Sequence, residues 1–571
     1  MKKARISDAD SELEDGCPRA PPARAKRGPR APTRQTSSKT AACSYPTTTA
    51  TPATASPSAP MAGGAARMIG AALASSSKST RSTPKWTKTD LPHDDKFLWN
   101  GTSTNTMSQL EYSPVSLFEL FFSDDVVDFI AVSSVEYARQ KGNHTFQLTS
   151  DDVHVFLAIL CTSGYAVLPA RRMYWECSPD VQNEAISRAM PRNRFEEILR
   201  YFHVADNSNL DQSDKYAKVR PLVKKLNDRF LKYFPVSAQL SVDESMIPYY
   251  GHHSAKQFIR GKPIRFGYKM WCLTTPLGYL IQLDPYQGAA KCAYGDVGLG
   301  GSVVLKLISQ LPDSLHFQLY FDNLFTSVSL LDRLSEIGIG GTGTIRSNRL
   351  QGCNLADLSK CSRGAYDYAY DRSTHVLLVR WMDSKPVTLA SNCNGVHPVM
   401  TARRWSNARK AKIEVDQPFL ISQYNKFMGG VDRLDQNIAQ YRIRIRCRKW
   451  YWPIISYLLQ TAIQNAWLLY RESMAATTLP LAHLQFIREV CKVYFARSQA
   501  KNAQVPLPVH NPKSLQRRCS ADIRFDGVGH YIERNATQIR CAVCHMKVYK
   551  KCSKCGVGLH LDCFAGFHTR A

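Results

Sequence analysis

The sequence predicts a multidomain chain: a central α/β domain with an inserted mostly-β region, helical segments on either side of it, and a small C-terminal metal-binding module. Three observations carry that prediction. The hydrophobic pattern runs at helical spacing to about residue 240, changes to short apolar strands, and turns helical again after about residue 420. Five of the 17 cysteines fall between Cys541 and Cys563. The 571 residues carry a net charge of +27, which argues for a polyanionic partner, nucleic acid first among them. A membrane surface would attract the same charge, so charge alone leaves the partner open.

At roughly 150 residues per domain, the length predicts three to four domains. The cysteines are too sparse for a disulfide scaffold, and their clustering reads as a metal site in a reducing compartment. The opening, MKKARISDADSELEDG, runs into acids without an apolar core, so no secretory signal is expected. A secreted disulfide protein and an ordinary small-metabolite enzyme are both disfavoured. Residues 451–470 carry no charge over about the length of a bilayer. Yet Gln460, Gln464 and Asn465 would be costly in hydrocarbon. The apolar stripe Ile454, Leu458, Leu459, Ala462, Ile463 and Ala466 instead predicts a buried amphipathic helix and no membrane span.

The elements follow in order. Residues 1–110 are rich in Ala, Ser, Thr and Pro, with too few large apolar groups to offset the entropy of ordering, and a disordered tail is expected. Its basic pieces, such as Lys26-Arg27, read either as nuclear targeting signals or as solvated linker charge. Order begins near Ser113, where Ser-Pro precedes Phe118, Leu120, Phe121, Val126, Phe129 and Ile130 at helical spacing. With TSDDVHVFLAILC and RNRFEEILRYFHVAD, residues 111–240 form a helical region. The central domain begins at 241–347. Segments 239–249, 266–274 and 278–283 read as an antiparallel meander, followed by a helix at VGLGGSVVLKLISQL, a strand at HFQLYFDNLF, a helix at TSVSLLDRLSEIG and a strand at 339–346. Residues 348–417 read as an irregular insertion with the strand-like pieces HVLLVRW and PVTLAS. The central domain resumes at 418–440, and 441–496 form a second helical region. A polar linker with Pro506, Pro508 and Pro512 spans 497–526, and the cysteine-rich module fills 527–571.

Four acids stand out. Asp243, in QLSVDESMIPYY, and Asp322, in HFQLYFDNLF, each lie where an apolar strand gives way to polar residues. Asp432 and Asp435, in GGVDRLDQNIAQYR, lie one turn apart beside the apolar seam Val431, Leu434 and Ile438. Carboxylates from two strand ends and one helix can form an all-oxygen site for two divalent cations, the arrangement that serves phosphoryl transfer. Taken singly, each has a plainer reading, a turn former or a solvated helix face.

Here the chain resembles a family. SVDESMIPYYGHHSAKQFIRGKPIRFGYKMW, YFDNLFTS and YNKFMGGVDRLDQNIAQYR, in that order, are similar to motifs of the piggyBac transposases and their transposable-element-derived relatives. The resemblance runs from about Ser113 to the C-terminus. It implies a ribonuclease H-like catalytic domain with a triad at Asp243 (VDES), Asp322 (FDNLF) and Asp432 (GGVD), and Asp435 (RLDQ) as a further acidic residue. It implies two Mg²⁺ or Mn²⁺ ions there, and double-stranded DNA as partner, with transposon ends and a TTAA target. A nuclear homodimer is also implied, in which the helical regions on both sides of the catalytic domain pack together for dimerisation and DNA binding.

Directly after the acidic helix, YRIRIRCRKWYW places Arg442, Arg444, Arg446, Arg448 and Lys449 without an intervening acid. Cations beside a phosphoryl-transfer site would hold a DNA backbone in register. Trp450 and Trp452 read as core anchors for the following helix before they read as base-stacking platforms.

The terminal cluster offers Cys541-x₂-Cys544, Cys552-x₂-Cys555, His560-x₂-Cys563 and His568, with His530 upstream. Paired ligands at this spacing let two side chains reach one tetrahedral zinc ion. Eight ligands suffice for two Zn²⁺ ions in a cross-brace: Cys541, Cys544, His560 and Cys563 on one, and His530, Cys552, Cys555 and His568 on the other. His545 competes with His530 for the last place, and the family's usual Cys at the position of His560 leaves the partition open.

The expected function is that of a piggyBac-type transposase or a protein derived from one. One rival is a derivative that recognises DNA without cutting it. The other is an interaction factor using the cross-brace as a RING or PHD finger does.

Overall fold

The computed structural model describes residues 68–75, 84–101, 113–260, 262–288, 294–474, 479–504, 519 and 521–569. Most of the predicted tail lies outside them. Two pieces of it do not, and they are packed. Helix α1 (Ile69–Ser75) buries Ile69 and Leu73, and the short strand β1 (Trp86–Thr87) joins the central sheet. Asp90 accepts the backbone N–H of Val396 at 2.8 Å and of His397 at 3.1 Å, and the Trp99 ring packs on Phe317 at 5.5 Å. The expectation of a tail to residue 110 is corrected here. Trp86, Phe97 and Trp99 find apolar surface on a domain hundreds of residues downstream, which local composition does not reveal.

The first helical region comprises α2 (Pro114–Glu119), α3 (Asp124–Gln140), α4 (Ser150–Tyr165), α5 (Glu184–Ala189), α6 (Arg192–Tyr201) and α7 (Arg220–Lys232). Their starts are encoded locally. Ser113 Oγ accepts the Ser116 N–H at 3.1 Å ahead of Pro114, and Thr149 with Asp152 makes a capping box for α4.

Among the described residues the central sheet has ten strands. The expected meander is β2 (Gln239–Pro248), β4 (Phe266–Thr274) and β5 (Leu280–Pro285), antiparallel neighbours, with the two-residue β3 (Gln257–Phe258) on the outer edge of β4. Helix α8 (Gly298–Ile308) then leads to β6 (Gln318–Phe321), which pairs parallel with β2. Helix α9 (Val328–Glu336) leads to β7 (Gly340–Thr344), which pairs parallel with β6. Strand β7 reads GGTGT because α9 lies close over it; a Cβ on Gly341 would stand 2.7 Å from Leu331.

The expected insertion does not stand apart. Strands β8 (Tyr366–Asp371), β9 (Val376–Met382) and β10 (Pro386–Ser391) form an antiparallel run, and β10 pairs with β7, so the sheet continues through them to β1. Only β11 (Met400–Ser406) and β12 (Ala411–Gln417) leave the sheet, as a two-stranded ribbon.

The chain returns through α10 (Phe419–Phe427) and α11 (Gly430–Gln440), then α12 (Trp452–Met474) and α13 (His483–Gln504). Residues 442–449, expected to be helical, lie outside any helix or strand. Helix α12 packs on α2, α7 and α11, and α13 packs on α4 and α5, so the two helical regions form one body. Helix α13 continues past residue 497, where the linker was expected to begin; the three linker prolines lie outside the described residues.

No helix among the described residues is long and apolar enough to cross a membrane. The amides of α12 each have a use. Gln460 donates to the carbonyls of Ile438 and Tyr441, and Gln464 donates to that of Gly278. Asn465 donates to the Leu280 carbonyl at 2.8 Å and accepts its N–H at 2.9 Å, while Asn227 on α7 does the same for Leu283 at 2.8 and 3.1 Å. Two asparagines thereby satisfy the free edge of β5, a backbone edge that water would otherwise have to serve.

The terminal module, α14 (Ala521–Arg524), β13 (Ile532–Arg540), β14 (Lys547–Cys552) and α15 (Leu561–His568), has its own core of Cys541, Val548, Cys552, Cys555, Leu559 and Phe567.

Replacing Asn465 by Ala leaves a buried N–H and a buried C=O of Leu280 without partners. At about 1–3 kcal/mol for each unsatisfied group, urea unfolding of the helical body should show a loss of about 2–6 kcal/mol. A loss under about 0.5 kcal/mol would mean that the β5 edge is satisfied some other way.

Candidate functional site

The site begins with the face of β2. Successive residues of a strand point to opposite sides, so Ser241, Asp243 and Ser245 share one. Both serines are buried and engaged: Ser241 Oγ donates to the Met428 carbonyl at 2.9 Å, and Ser245 Oγ donates to Asp435 Oδ1 at 2.5 Å. They fasten the start of α11 across β2, with Asp243 between them. Gly430 permits the approach, since a Cβ there would stand 2.5 Å from the Thr275 carbonyl oxygen and 3.1 Å from Ser241 Cβ.

The parallel pairing supplies the second acid. Ser241 and Val242 of β2 stand opposite Tyr320 and Phe321 of β6, so Asp243 and Asp322 come next at the same level on neighbouring strands. Asp322 is held in a tight turn, its Oδ1 accepting the Leu324 N–H and its carbonyl accepting Thr326 Oγ1 at 2.9 Å. Arg349 braces that turn on the carbonyls of Asn323, Leu324 and Thr326. Asp432 is exposed, one turn before half-buried Asp435.

The electrostatics show the acids acting on one another. Burial pushes the Asp243 carboxyl well above its usual range; the charges of Glu244 and Asp322 add to this and Lys262 opposes it. Burial also raises Asp435, to about 6, with the Asp432 charge adding and the Ser245 donor and Arg442 opposing. The Tyr424 phenol on α10 is raised by burial and then by Asp322, Asp243 and Asp432, so all three acids lie within electrostatic reach of one phenol; among the described residues only the two Cys/His sets of the terminal module bring three or more donor atoms within 4.8 Å of one another. Hard oxygen donors that repel one another in this way suit a hard divalent cation.

Two basic residues here were not singled out from the sequence. Burial works against the charge of Lys262, but Asp243, Glu244 and Asp432 outweigh it, and its pKa is raised. Its Nζ lies 3.4 Å from Glu244 Oε1, while Lys269 Nζ lies 3.8 Å from Glu244 Oε2 and 3.9 Å over the Trp271 ring. The available signal was their position in KPIRFGYK, which leads into the strand that pairs with the Asp243 strand and places Lys269 on it.

The arginine run divides. Burial alternates along this segment: Ile443 and Ile445 are buried, and Arg444, Arg446 and Arg448 are exposed. Arg442 is half-buried and within electrostatic reach of Asp435. Lys449 is a correction to the expected DNA-contacting set. Its ammonium donates to the Leu199 and Phe202 carbonyls at 3.1 and 2.7 Å, capping the end of α6, and burial lowers its pKa to about 8. Trp452 is buried and Trp450 stacks on His253 at 4.0 Å, both as core anchors. Arg171, Tyr249, Tyr250, Arg442, Arg444 and Arg446 line a cleft of about 1140 Å³ whose walls include none of the four aspartates.

In the terminal module the structure brings together the two expected sets. The donor atoms of Cys541, Cys544, His560 and Cys563 lie within 4.8 Å of one another, as do those of His530, Cys552, Cys555 and His568. His545 belongs to neither set among the described residues; it occupies a left-handed turn position with φ +60°. The histidines are oriented for metal. His530 Nε2–H donates to Asp526 at 2.9 Å, which turns Nδ1 toward Cys552 and Cys555 at 3.3 and 3.4 Å. His568 Nδ1–H donates to the Phe564 carbonyl at 3.0 Å and presents Nε2 to Cys555 at 3.4 Å. Such outer partners fix the tautomer of zinc-binding histidines. Backbone N–H groups from Cys544, His560 and Val543 outweigh burial at Cys541 and bring its thiol down to about 6, which favours the thiolate that zinc binds.

Known proteins share this architecture. A family profile described as Transposase IS4 matches residues 113–467, the span that holds all four aspartates. The chain is 41% identical over 500 residues to human PiggyBac transposable element-derived protein 3, covering 86% of this chain and 82% of that one. It belongs to the piggyBac family. Human PiggyBac transposable element-derived protein 2 is 40% identical over 493 residues, covering 85% of this chain and 81% of that one. The fold is also that of a piggyBac transposase solved by cryo-electron microscopy in a synaptic complex with hairpin DNA. The match has a TM-score of 0.59 at 19% identity, over 81% of this chain and 99% of that one.

Elemental analysis of the full chain, purified without chelators, should find two zinc ions per molecule, and one in Cys552→Ser. Two ions retained in Cys552→Ser would contradict the division of ligands between two centres.

Proposed function

We propose that this piggyBac-family chain cuts and joins DNA strands through a metal-dependent site made by Asp243, Asp322 and Asp432, with Asp435 beside them. One observation carries the reading: the parallel β2–β6 pairing sets Asp243 and Asp322 on neighbouring strands, and the serine-fastened α11 lays the Asp432–Asp435 helix across the same strand, so acids from three distant motifs are neighbours. The sheet order β5-β4-β2-β6-β7, with an antiparallel first half and two parallel additions, supports a ribonuclease H-like catalytic core.

Two Mg²⁺ or Mn²⁺ ions at such carboxylates would activate an attacking oxygen and stabilise a leaving oxygen in phosphoryl transfer. The residues of the chain have separate tasks. Asp243 and Asp322 are set by strand register and so keep a fixed separation. Asp432 reaches in from a helix whose seat depends on Ser241, Ser245 and Gly430. Lys262 balances part of the negative charge. Arg444, Arg446 and Arg448 offer phosphate contacts along the approach to the site.

The substrate in this reading is double-stranded DNA at transposon ends with a TTAA target, handled by a homodimer in the nucleus. The zinc module, with Lys547 and Lys550 exposed, helps to recognise those ends. A chain that binds DNA without cutting is the alternative, consistent with relatives whose names describe transposable element-derived proteins. Retention of all four acids, on neighbouring elements, favours cutting.

Asp322→Asn should abolish strand cleavage of terminal-repeat DNA in Mg²⁺ or Mn²⁺ and leave duplex affinity within about twofold, because it removes a ligand without changing shape. Cleavage at the wild-type rate would remove Asp322 from the site. Wild-type protein that binds but never cuts would favour the non-cutting reading.

A further inference from the structure

The β11–β12 ribbon is not used by the site described above. Its register runs from Met400 opposite Gln417 to Ser406 opposite Ala411, and its two faces differ. The inner face packs: Ala402 and Val415, opposite each other, are buried, and Arg404 Nε lies 3.4 Å from Asp383 with its guanidinium 5.7 Å over the Trp381 ring. The ribbon is fastened along its length. Trp381 Nε1 donates to the Asp416 carbonyl at 2.7 Å, and Arg363 donates to the Trp405 carbonyl at 2.8 Å while pairing with Asp383 at 2.9 Å.

The outer face and the tip carry the opposite chemistry. Trp405 is 56% exposed directly across from Lys412, and residues 407–410 at the tip are exposed, including Arg409 and Lys410. Arg403 has Glu414 at 3.6 Å, but no carboxylate lies within ion-pair distance of Arg409, Lys410 or Lys412 among the described residues. A rigid ribbon thus presents three unneutralised cations around one exposed indole.

We propose that the ribbon is an arm that grips duplex DNA, with Arg409, Lys410 and Lys412 on phosphates and Trp405 entering the groove between them; this rests on the reading of the chain as a DNA-cutting protein. Charge complementarity selects a polyanion, and shape selects a duplex. Two strands about 4.8 Å apart with their side chains match a major groove about 12 Å wide, which admits a two-stranded ribbon. Position agrees. Strand β12 ends at Gln417 and α10 begins two residues later and packs on β2, the strand of Asp243, and on β7, the neighbour of the Asp322 strand. At about 3.4 Å per residue the seven-residue strand spans about 24 Å, or about seven base-pair steps beyond that end of the ribbon. The arm would hold DNA flanking the cut rather than the scissile phosphate.

The test uses the full chain and fluorescence anisotropy with a 30-base-pair duplex over a range of salt concentrations. In Arg409→Gln/Lys410→Gln/Lys412→Gln, binding should weaken for every sequence. The slope of log affinity against log salt should fall by about two to three units, one for each lost phosphate contact. Trp405→Ala should weaken binding several-fold with the slope unchanged. All of these side chains are exposed, so unaltered thermal melts should accompany the effects, and Lys412→Glu alone should lower the slope by about one unit. Wild-type affinity and slope in the triple variant would overturn the arm. Competition by polyglutamate as strong as that by an equal charge of DNA would replace the duplex by an acidic peptide as the partner. Wild-type protein that binds no duplex at all would instead overturn the DNA reading of the whole chain, an outcome that the variants alone do not produce.

Discussion

The site depends on one packing contact, the seating of helix α11 across strand β2. Ser241 and Ser245 flank Asp243 on the same face of the strand, and each spends its hydroxyl on the α10–α11 junction or on α11 itself. Asp435 is the residue gripped by Ser245, which gives it a positioning part as well as a charge. Gly430 has no side chain because backbone and Ser241 already occupy the space. Had α11 been held only by its apolar seam, Asp432 could slide along the strand. The two polar contacts set its height relative to Asp243.

The rest of the fold supplies support for that contact. Strand β2 is central, with β4 antiparallel on one side and β6 parallel on the other, so its own position is fixed twice. Behind α11 lies α12, whose amides satisfy the free edge of β5 and the end of α11. The helices before and after the sheet are joined by single polar contacts over long sequence distances, such as His203 Nδ1 at 2.8 Å from the Tyr451 hydroxyl and Lys449 on the end of α6. An acidic site that must resist its own repulsion is thereby carried on elements held from several directions.

What the sequence disclosed follows the range of each interaction. The meander was legible because turn residues and apolar runs are local signals. The zinc ligands were legible because x₂ spacing is local too, and the structure groups the same eight residues in the same two sets. The four acids were legible as motifs, but the adjacency of Asp243 and Asp322 depends on a parallel pairing that no local pattern encodes. The same limit explains what was misread. Residues 84–101 order against strands far downstream, and Lys449 turns inward because carbonyls some 250 positions earlier need a donor. Ser241 and Ser245 were in plain view as S-x-D-x-S, but only the structure shows what they hold.

The most direct measurement of this adjacency is affinity cleavage by iron. Fe²⁺ replaces a hard divalent ion at oxygen ligands, and with ascorbate and peroxide it cuts nearby backbone. The account predicts that the full chain is cut in three separated segments, around residues 243, 322 and 432–435, and that excess Mg²⁺ suppresses all three together. The Asp322→Asn variant should lose the three cuts as a set. Cutting confined to one segment, or three cuts that respond independently to Mg²⁺, would contradict a single site.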